Sequence, residues 1–193
     1  NTLPRFGITT TFVDPDVPEN FTKAVQSNTR AFFAESLGNP KLDVLDLKAI
    51  SDTAKAAKVP FIVDNTVASP ALLNPIAHGA NIVIHSLTKY LTGNGTSLGG
   101  VIIYAGTFNW GNGNFPEFTE PNPSYHGLNY HEALGAIAFI AKVRIEGLRD
   151  LGSAPSPFNS FQTIQGIETL DIRMKKHSEN ALKIAAWLST KPE

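Results

Sequence analysis

The sequence predicts an α/β fold, a mostly parallel sheet flanked by helices, and three observations lead there. Short runs rich in valine, isoleucine and phenylalanine recur at 7–13, 31–34, 61–63, 82–84 and 101–104, and each reads as a buried strand. Between the second and third runs, Leu47, Ile50, Ala54 and Ala57 recur at helical spacing within 42–58 before Val59-Pro60 ends the pattern. Buried strands alternating with helices argue for a sheet whose ligands gather beyond the carboxyl ends of its strands. Chemistry is therefore expected directly after the apolar runs.

The later elements follow from the same patterns. The stretch 106–127 is dense in glycine, proline and asparagine with few periodic apolar positions, which predicts an extended surface loop. A helix is expected over 132–149. From Ile167 onward, Leu170, Met174, His177, Ala181, Ile184 and Leu188 alternate steps of three and four, the stripe of one long amphipathic helix. The Pro-rich segment 153–157 separates these helices, dividing the chain into a sheet unit, 1–152, and a connection with a long helix, 153–193. There is no internal repeat. The chain opens at Asn1 without a methionine and closes just past a helical pattern, so it reads as the central part of a longer protein.

Composition narrows the function classes. A chain of 193 residues that is 42% hydrophobic and 17% charged falls among soluble globular proteins and not among disordered or fibrous ones. Sixteen basic and seventeen acidic residues leave a net charge of -1, without the runs of one sign that mark nucleic-acid or membrane-surface binding. The absence of cysteine excludes disulfides, thiolate metal sites and a cysteine nucleophile, and suits a cytoplasmic protein. The longest apolar run, 133–141, falls far short of the roughly 20 residues a membrane helix needs, and no signal pattern opens the chain.

One constellation carries chemistry. Asp64 follows the run Phe61-Ile62-Val63, and Ser86-Leu87-Thr88-Lys89 follows Asn81-Ile82-Val83-Ile84-His85, so two strand ends supply the reactive groups. A lysine can bond a carbonyl cofactor. Pyridoxal 5'-phosphate (PLP) additionally needs an acid that keeps its pyridine nitrogen protonated, so that the ring accepts electrons. Asp64 offers that charge, and the hydroxyls of Ser86 and Thr88 flank the lysine where they could donate to a phosphate. One small ligand would unite all four residues.

Three stretches, in order, make the resemblance specific: Phe33-Ala34-Glu35-Ser36-Leu37-Gly38-Asn39-Pro40, Val63-Asp64-Asn65-Thr66, and His85-Ser86-Leu87-Thr88-Lys89-Tyr90 followed by glycines up to Gly99-Gly100. The chain resembles the Cys/Met-metabolism family of fold-type I PLP enzymes over most of its length. The resemblance implies the large domain of an aspartate aminotransferase-like PLP-dependent transferase. Lys89 would be the catalytic lysine that bonds the cofactor's aldehyde, Asp64 the partner of the pyridinium nitrogen, Ser86 and Thr88 phosphate ligands, and Asn39 the partner of the ring hydroxyl. Glu35 and Thr66 would stand behind them. Pro123-Ser124-Tyr125-His126-Gly127 and Phe161-Gln162-Thr163-Ile164-Gln165-Gly166-Ile167-Glu168-Thr169-Leu170 look most like the O-acetylhomoserine sulfhydrylase branch, which implies an amino-acid substrate, a sulfur donor and a homotetramer. Cystathionine synthases and lyases are the neighbouring alternatives within the family. A non-catalytic, partner-binding remnant is the alternative outside it.

The sequence departs from the family in two respects. Gly93-Asn94-Gly95 lacks the histidine that many relatives carry between these glycines. The family's upstream phosphate loop, its ring-stacking tyrosine, the Tyr/Arg pair that reaches a neighbouring subunit and the downstream carboxylate-binding arginine have no counterparts in this stretch.

Competing motifs fail on their own terms. Ser86-Leu87-Thr88-Lys89 fits the S-x-x-K pattern of penicillin-binding proteins, but no Ser-Asp-Asn or Lys-Thr-Gly element accompanies it. Gly93-Asn94-Gly95 would need a third glycine where Leu98 stands, and His131-Glu132 a second histidine where Gly135 stands, so neither a dinucleotide loop nor a zinc site follows. His177 is expected as a core residue of the last helix. His85, adjacent to Ser86 but on the opposite strand face, is expected to be structural.

Overall fold

The computed structural model describes residues 2–192. In chain order the elements that matter are α1 (Glu19–Ala24), β1 (Phe32–Glu35), α2 (Leu47–Ala56), β2 (Phe61–Asp64), α3 (Ser69–Leu72), β3 (Ile82–Ser86), β4 (Gly100–Tyr104), α4 (Pro116–Thr119), α5 (Tyr130–Leu134), α6 (Ala138–Lys142), α7 (Pro157–Glu168) and α8 (Leu170–Leu188). The sheet order is β1-β2-β3-β4, with the first three strands parallel and β4 antiparallel to β3.

Local sequence accounts for the crossover helix. The Asp46 carboxylate accepts from the Ala49 amide at 3.0 Å and caps α2, whose Leu47, Ile50 and Ala54 are buried against the sheet. Lys58 turns the chain at a φ of 57°, and Pro60 then accepts from the Phe32 amide at 3.0 Å, placing the start of β2 beside that of β1. The crossover helix begins later than the periodicity suggested: residues 42–46 lead into it without forming helix, with Val44 bridged antiparallel to Leu37.

Each face of the sheet has its own core. Phe61, Val63 and Val83 pack with Phe21, Phe32, Leu47, Ile50 and Ala54 on one side. Ile82, with Ile62 and Ile84, packs on the other against Trp110, Phe115, Phe118, Tyr130 and Ala138. The alternation along β2 and β3 thus sends successive side chains to opposite cores.

The second core corrects the surface-loop expectation for 106–127. Asparagines build its turns: Asn109, Asn112 and Asn122 each accept from the amide two residues on, at 2.9, 3.0 and 2.9 Å. These turns deliver Trp110, Phe115 and Phe118 onto the sheet, where Trp110 stacks on Phe118 and Phe139 with centroids 4.2 and 5.2 Å apart.

Three further expectations are revised. Residues 7–13 have strand composition but form no strand; Ile8 and Phe12 are exposed, and no ladder partner lies beside them among the described residues. The helix expected over 132–149 starts at Tyr130, breaks at Gly135 with φ at 50°, and resumes through α6 into a π-helical segment, Val143–Asp150. Helix α7, not anticipated from the sequence, ends at Glu168, and the long helix expected from Ile167 forms as α8 from Leu170. Its stripe is buried only at Leu170 and Met174, and His177, expected in the core, is exposed with its ring 5.3 Å from that of Tyr90.

Candidate active site

Parallel registration brings the strand ends together. Asp64 ends β2 opposite Ile84 of β3, and Ser86 lies two residues further along the same face, so Asp64 and Ser86 share the side of the second core. Past Asp64 the chain turns sharply: the Thr66 amide and hydroxyl both donate to Asp64 Oδ1, at 2.9 and 2.5 Å. The same hydroxyl accepts from the Ser86 amide at 2.8 Å, so one oxygen ties the two strand ends. Asp64 Oδ2 meets no hydrogen-bond donor among the described residues and remains available to a cation.

Lys89 follows β3 in a π turn, Leu87–Leu91, and its own backbone, at φ -92° and ψ -126°, leaves the helical region there. The residue is exposed, and its ammonium forms no ion pair or hydrogen bond among the described residues. The two flanking hydroxyls differ. Ser86 Oγ has no partner among the described residues, so its proton is free to donate. Thr88 Oγ1 accepts from the Gly99 amide at 3.2 Å and donates to the Gly99 carbonyl at 3.4 Å. That donation is long and weak.

Asn39 sits at the end of a separate loop after β1. It is exposed, precedes a cis peptide bond to Pro40, and its amide donates to Glu35 Oε2 at 2.9 Å. Glu35 pairs with Asp64 in register across β1 and β2, which brings the Asn39 loop to the same end of the sheet. Glu35 and Thr66 therefore both brace other members of the group.

His85 points to the opposite face. It is buried, with Nδ1 unpartnered among the described residues, and desolvation pushes its pKa below the ordinary 6.5. The Asn65 carbonyl and the Asp64 charge offset part of that effect. It stands among a buried polar set in which Ser36 donates to Asn65 Oδ1 at 2.7 Å and Asn65 Nδ2 donates to the carbonyls of Ser69 and Leu73 at 3.1 and 2.9 Å. The Ser36–Asn65 bond ties the chain past β1 to the chain past β2, and the other two hold the segment that runs through α3. The departure at Asn94 is likewise local, its side chain accepting from the Thr96 hydroxyl at 2.8 Å.

Sequence reasoning did not anticipate Arg173 of α8. Its Nη1 donates to the Tyr90 carbonyl at 2.8 Å, its Nη2 to the Gly166 carbonyl at 2.7 Å and the Leu91 carbonyl at 3.5 Å, and its Nε to Thr169 Oγ1 at 3.0 Å. Thr92 and Thr163 join hydroxyls at 3.0 Å, and Ser97 bonds Gln162. Residues 157–174 are thus docked on the turn that carries Lys89, around a third core of Leu91, Leu170 and Met174.

The donor set fits PLP. An acid with one open oxygen and a serine hydroxyl with a spare proton stand at neighbouring strand ends, with an unpaired lysine three residues past the second, a set that matches a pyridinium, a phosphate and an aldehyde. No group of histidine and acidic side chains among the described residues has the arrangement of a metal site, and no described helix is long and apolar enough to cross a membrane.

Known proteins agree. The O-acetyl-L-homoserine sulfhydrylase of Leptospira meyeri is 58% identical over 200 residues, covering 100% of this chain and 45% of that protein. That of Corynebacterium glutamicum is 50% identical over 194 residues, covering 97% of this chain and 44% of that protein. A solved structure from Campylobacter jejuni, assigned as an O-acetylhomoserine (thiol)-lyase and containing a pyridoxyl-lysine monophosphate, superposes with a TM-score of 0.93 at 42% identity, over 99% of this chain and 48% of that one. The chain therefore spans less than half the length of these relatives. The family profile described as Cys/Met metabolism PLP-dependent enzyme matches residues 1–193, and with a lysine, an acid and a serine hydroxyl at the strand ends, the chain belongs to that family.

Proposed function

We propose that this chain is the cofactor-binding part of a PLP-dependent transferase that replaces the acetoxy group of O-acetyl-L-homoserine with sulfide, giving L-homocysteine and acetate for methionine biosynthesis. The observation that supports this reading is the placement of Asp64 and Ser86 at neighbouring strand ends with Lys89 three residues on, in a chain whose close relatives are named as sulfhydrylases. When bound, PLP supplies an aldehyde that condenses with amines and a ring that accepts the electrons of a substrate's Cα–H bond.

Each residue then has a task. Lys89 would hold the aldehyde through Nζ and, when free, its amine would move protons at the substrate's Cα and Cβ. Asp64, through Oδ2, holds the proton on the pyridine nitrogen, and Thr66 keeps that carboxylate from rotating. Ser86 donates to the phosphate, Thr88 does so when it releases Gly99, and Asn39 bonds the ring hydroxyl. The γ C–O bond breaks as acetate leaves, and a C–S bond forms at the same carbon.

We read 1–152 as the core of the cofactor-binding unit and 153–193 as a Pro-rich connection and long helix, of which α7 and the start of α8 pack on the lysine turn. The whole enzyme is read as a cytoplasmic homotetramer. The test is a substrate panel on the full-length protein. Homocysteine formed from O-acetylhomoserine and sulfide, faster than cystathionine or methionine is cleaved, supports the reading. Dominant cleavage of either would reassign the branch.

A further inference from the structure

We infer that Arg173 is a positioning residue for Lys89, acting through the carbonyls of the turn that follows the lysine; this rests on the proposed role of Lys89. At Lys89 the backbone leaves helical geometry within the turn, and the carbonyls of Tyr90 and Leu91 accept from Arg173 of α8. A single guanidinium collects them. Its fork reaches Tyr90, Leu91 and Gly166 while Nε is held by Thr169, so the cation is oriented from its own helix and leaves little rotational freedom to the turn.

Two glycines fit this cation. A Cβ at Gly93, where φ is +85°, would stand 2.7 Å from Arg173 Nη1, and one at Gly166 would stand 2.5 Å from the Leu91 carbonyl oxygen. Both positions are thus kept bare where backbone, guanidinium and helix meet. The Gly93 amide in turn donates to the Lys89 carbonyl at 2.9 Å, which closes the path from Arg173 back to the lysine. Other cations of α8 lack this arrangement: Lys176 pairs with Glu179 on the exposed side.

The geometry assigns Arg173 two separable effects, docking of α8 and aim of Lys89 Nζ. Arg173→Lys keeps a cation but loses the fork, Arg173→Gln loses both, and Lys176→Gln is the control. With the full-length protein and added PLP, the readouts are the rate at which the borohydride-trappable bond to Lys89 forms and the pH midpoint of its absorbance band. Both Arg173 variants are expected to form the bond about ten-fold more slowly or worse, with a shifted midpoint, since small misplacements of a reacting group carry penalties of this order. Lys176→Gln should match the parent.

If Arg173→Gln does not fold, Arg173→Lys alone decides. Folded Arg173 variants that lose only thermal stability, with rate and midpoint unchanged, overturn the inference and leave Arg173 a docking residue. A parent protein that traps no cofactor on Lys89 sinks the reading on which the inference rests, and the inference with it.

Discussion

Thr66 grips one oxygen of Asp64 twice, with its amide at 2.9 Å and its hydroxyl at 2.5 Å, while the other oxygen meets no donor among the described residues. Hydrogen bonds to charged groups contribute about 1.5–3 kcal/mol, so losing the hydroxyl should weaken PLP affinity roughly ten-fold or more. Thr66→Val is expected to do this, and Thr66→Ser, which keeps the oxygen, to bind nearly as the parent does. A spectrophotometric PLP titration of the three proteins measures it. Equal affinities for the valine and serine variants would remove Thr66 from the site.

The two hydroxyls beside Lys89 should not be equivalent. Ser86 has a proton to donate, whereas Thr88 already donates to Gly99 at 3.4 Å and accepts from it at 3.2 Å. Ser86→Ala should therefore cost PLP affinity on the order of 1 kcal/mol or more. Thr88→Val should cost less affinity but loosen the Gly99 loop, seen as faster amide exchange at Gly99. The reverse order in the same titration would contradict the geometry.

At Gly166 two effects of opposite sign compete. Alanine in a helix interior is favoured over glycine by about 0.5–1 kcal/mol. A methyl group here would stand 2.5 Å from the Leu91 carbonyl oxygen, and overpacking of that kind costs about 1–3 kcal/mol. The clash should win, so Gly166→Ala is expected to lower the thermal midpoint of the full-length protein. A raised midpoint would mean that α7 does not dock as described.

His85 makes stability depend on pH. Burial lowers its folded pKa below 6.5, so the unfolded chain binds the proton more readily. The contribution of the neutral imidazole is complete above pH 6.5 and is lost as pH falls toward the lowered folded value. Denaturant unfolding of the full-length protein from pH 7.5 down to 5 should become easier across that window. His85→Gln, with no proton to gain, should flatten this part of the profile.

The strand-end placement of the candidate residues was legible because the rule that finds it is local. Asp64 and Ser86 end their strands, and Lys89 follows three residues on, so buried runs point to them without knowledge of the tertiary structure. Arg173 and Gly166 were not legible. An arginine on an amphipathic helix reads as a solvated charge, and its carbonyl partners lie 82 and 83 residues away. The aromatic anchors of 106–127 were hidden by the asparagine turns that deliver them, since turns carry no period. Residues 7–13 show the converse, because strand composition cannot supply a neighbouring strand. Along the last helix the apolar stripe was read correctly as a pattern, but burial stops after Met174, which periodicity alone cannot locate.

The central claim is that Lys89 carries the cofactor, and the direct measurement is an absorbance spectrum of the full-length protein with added PLP, before and after borohydride, beside Lys89→Ala. The account predicts a band near the visible edge that borohydride bleaches in the parent, with the reduced cofactor recovered on the peptide containing Lys89, and no such band in the variant. A parent without the band, or a variant with the same one, would contradict it.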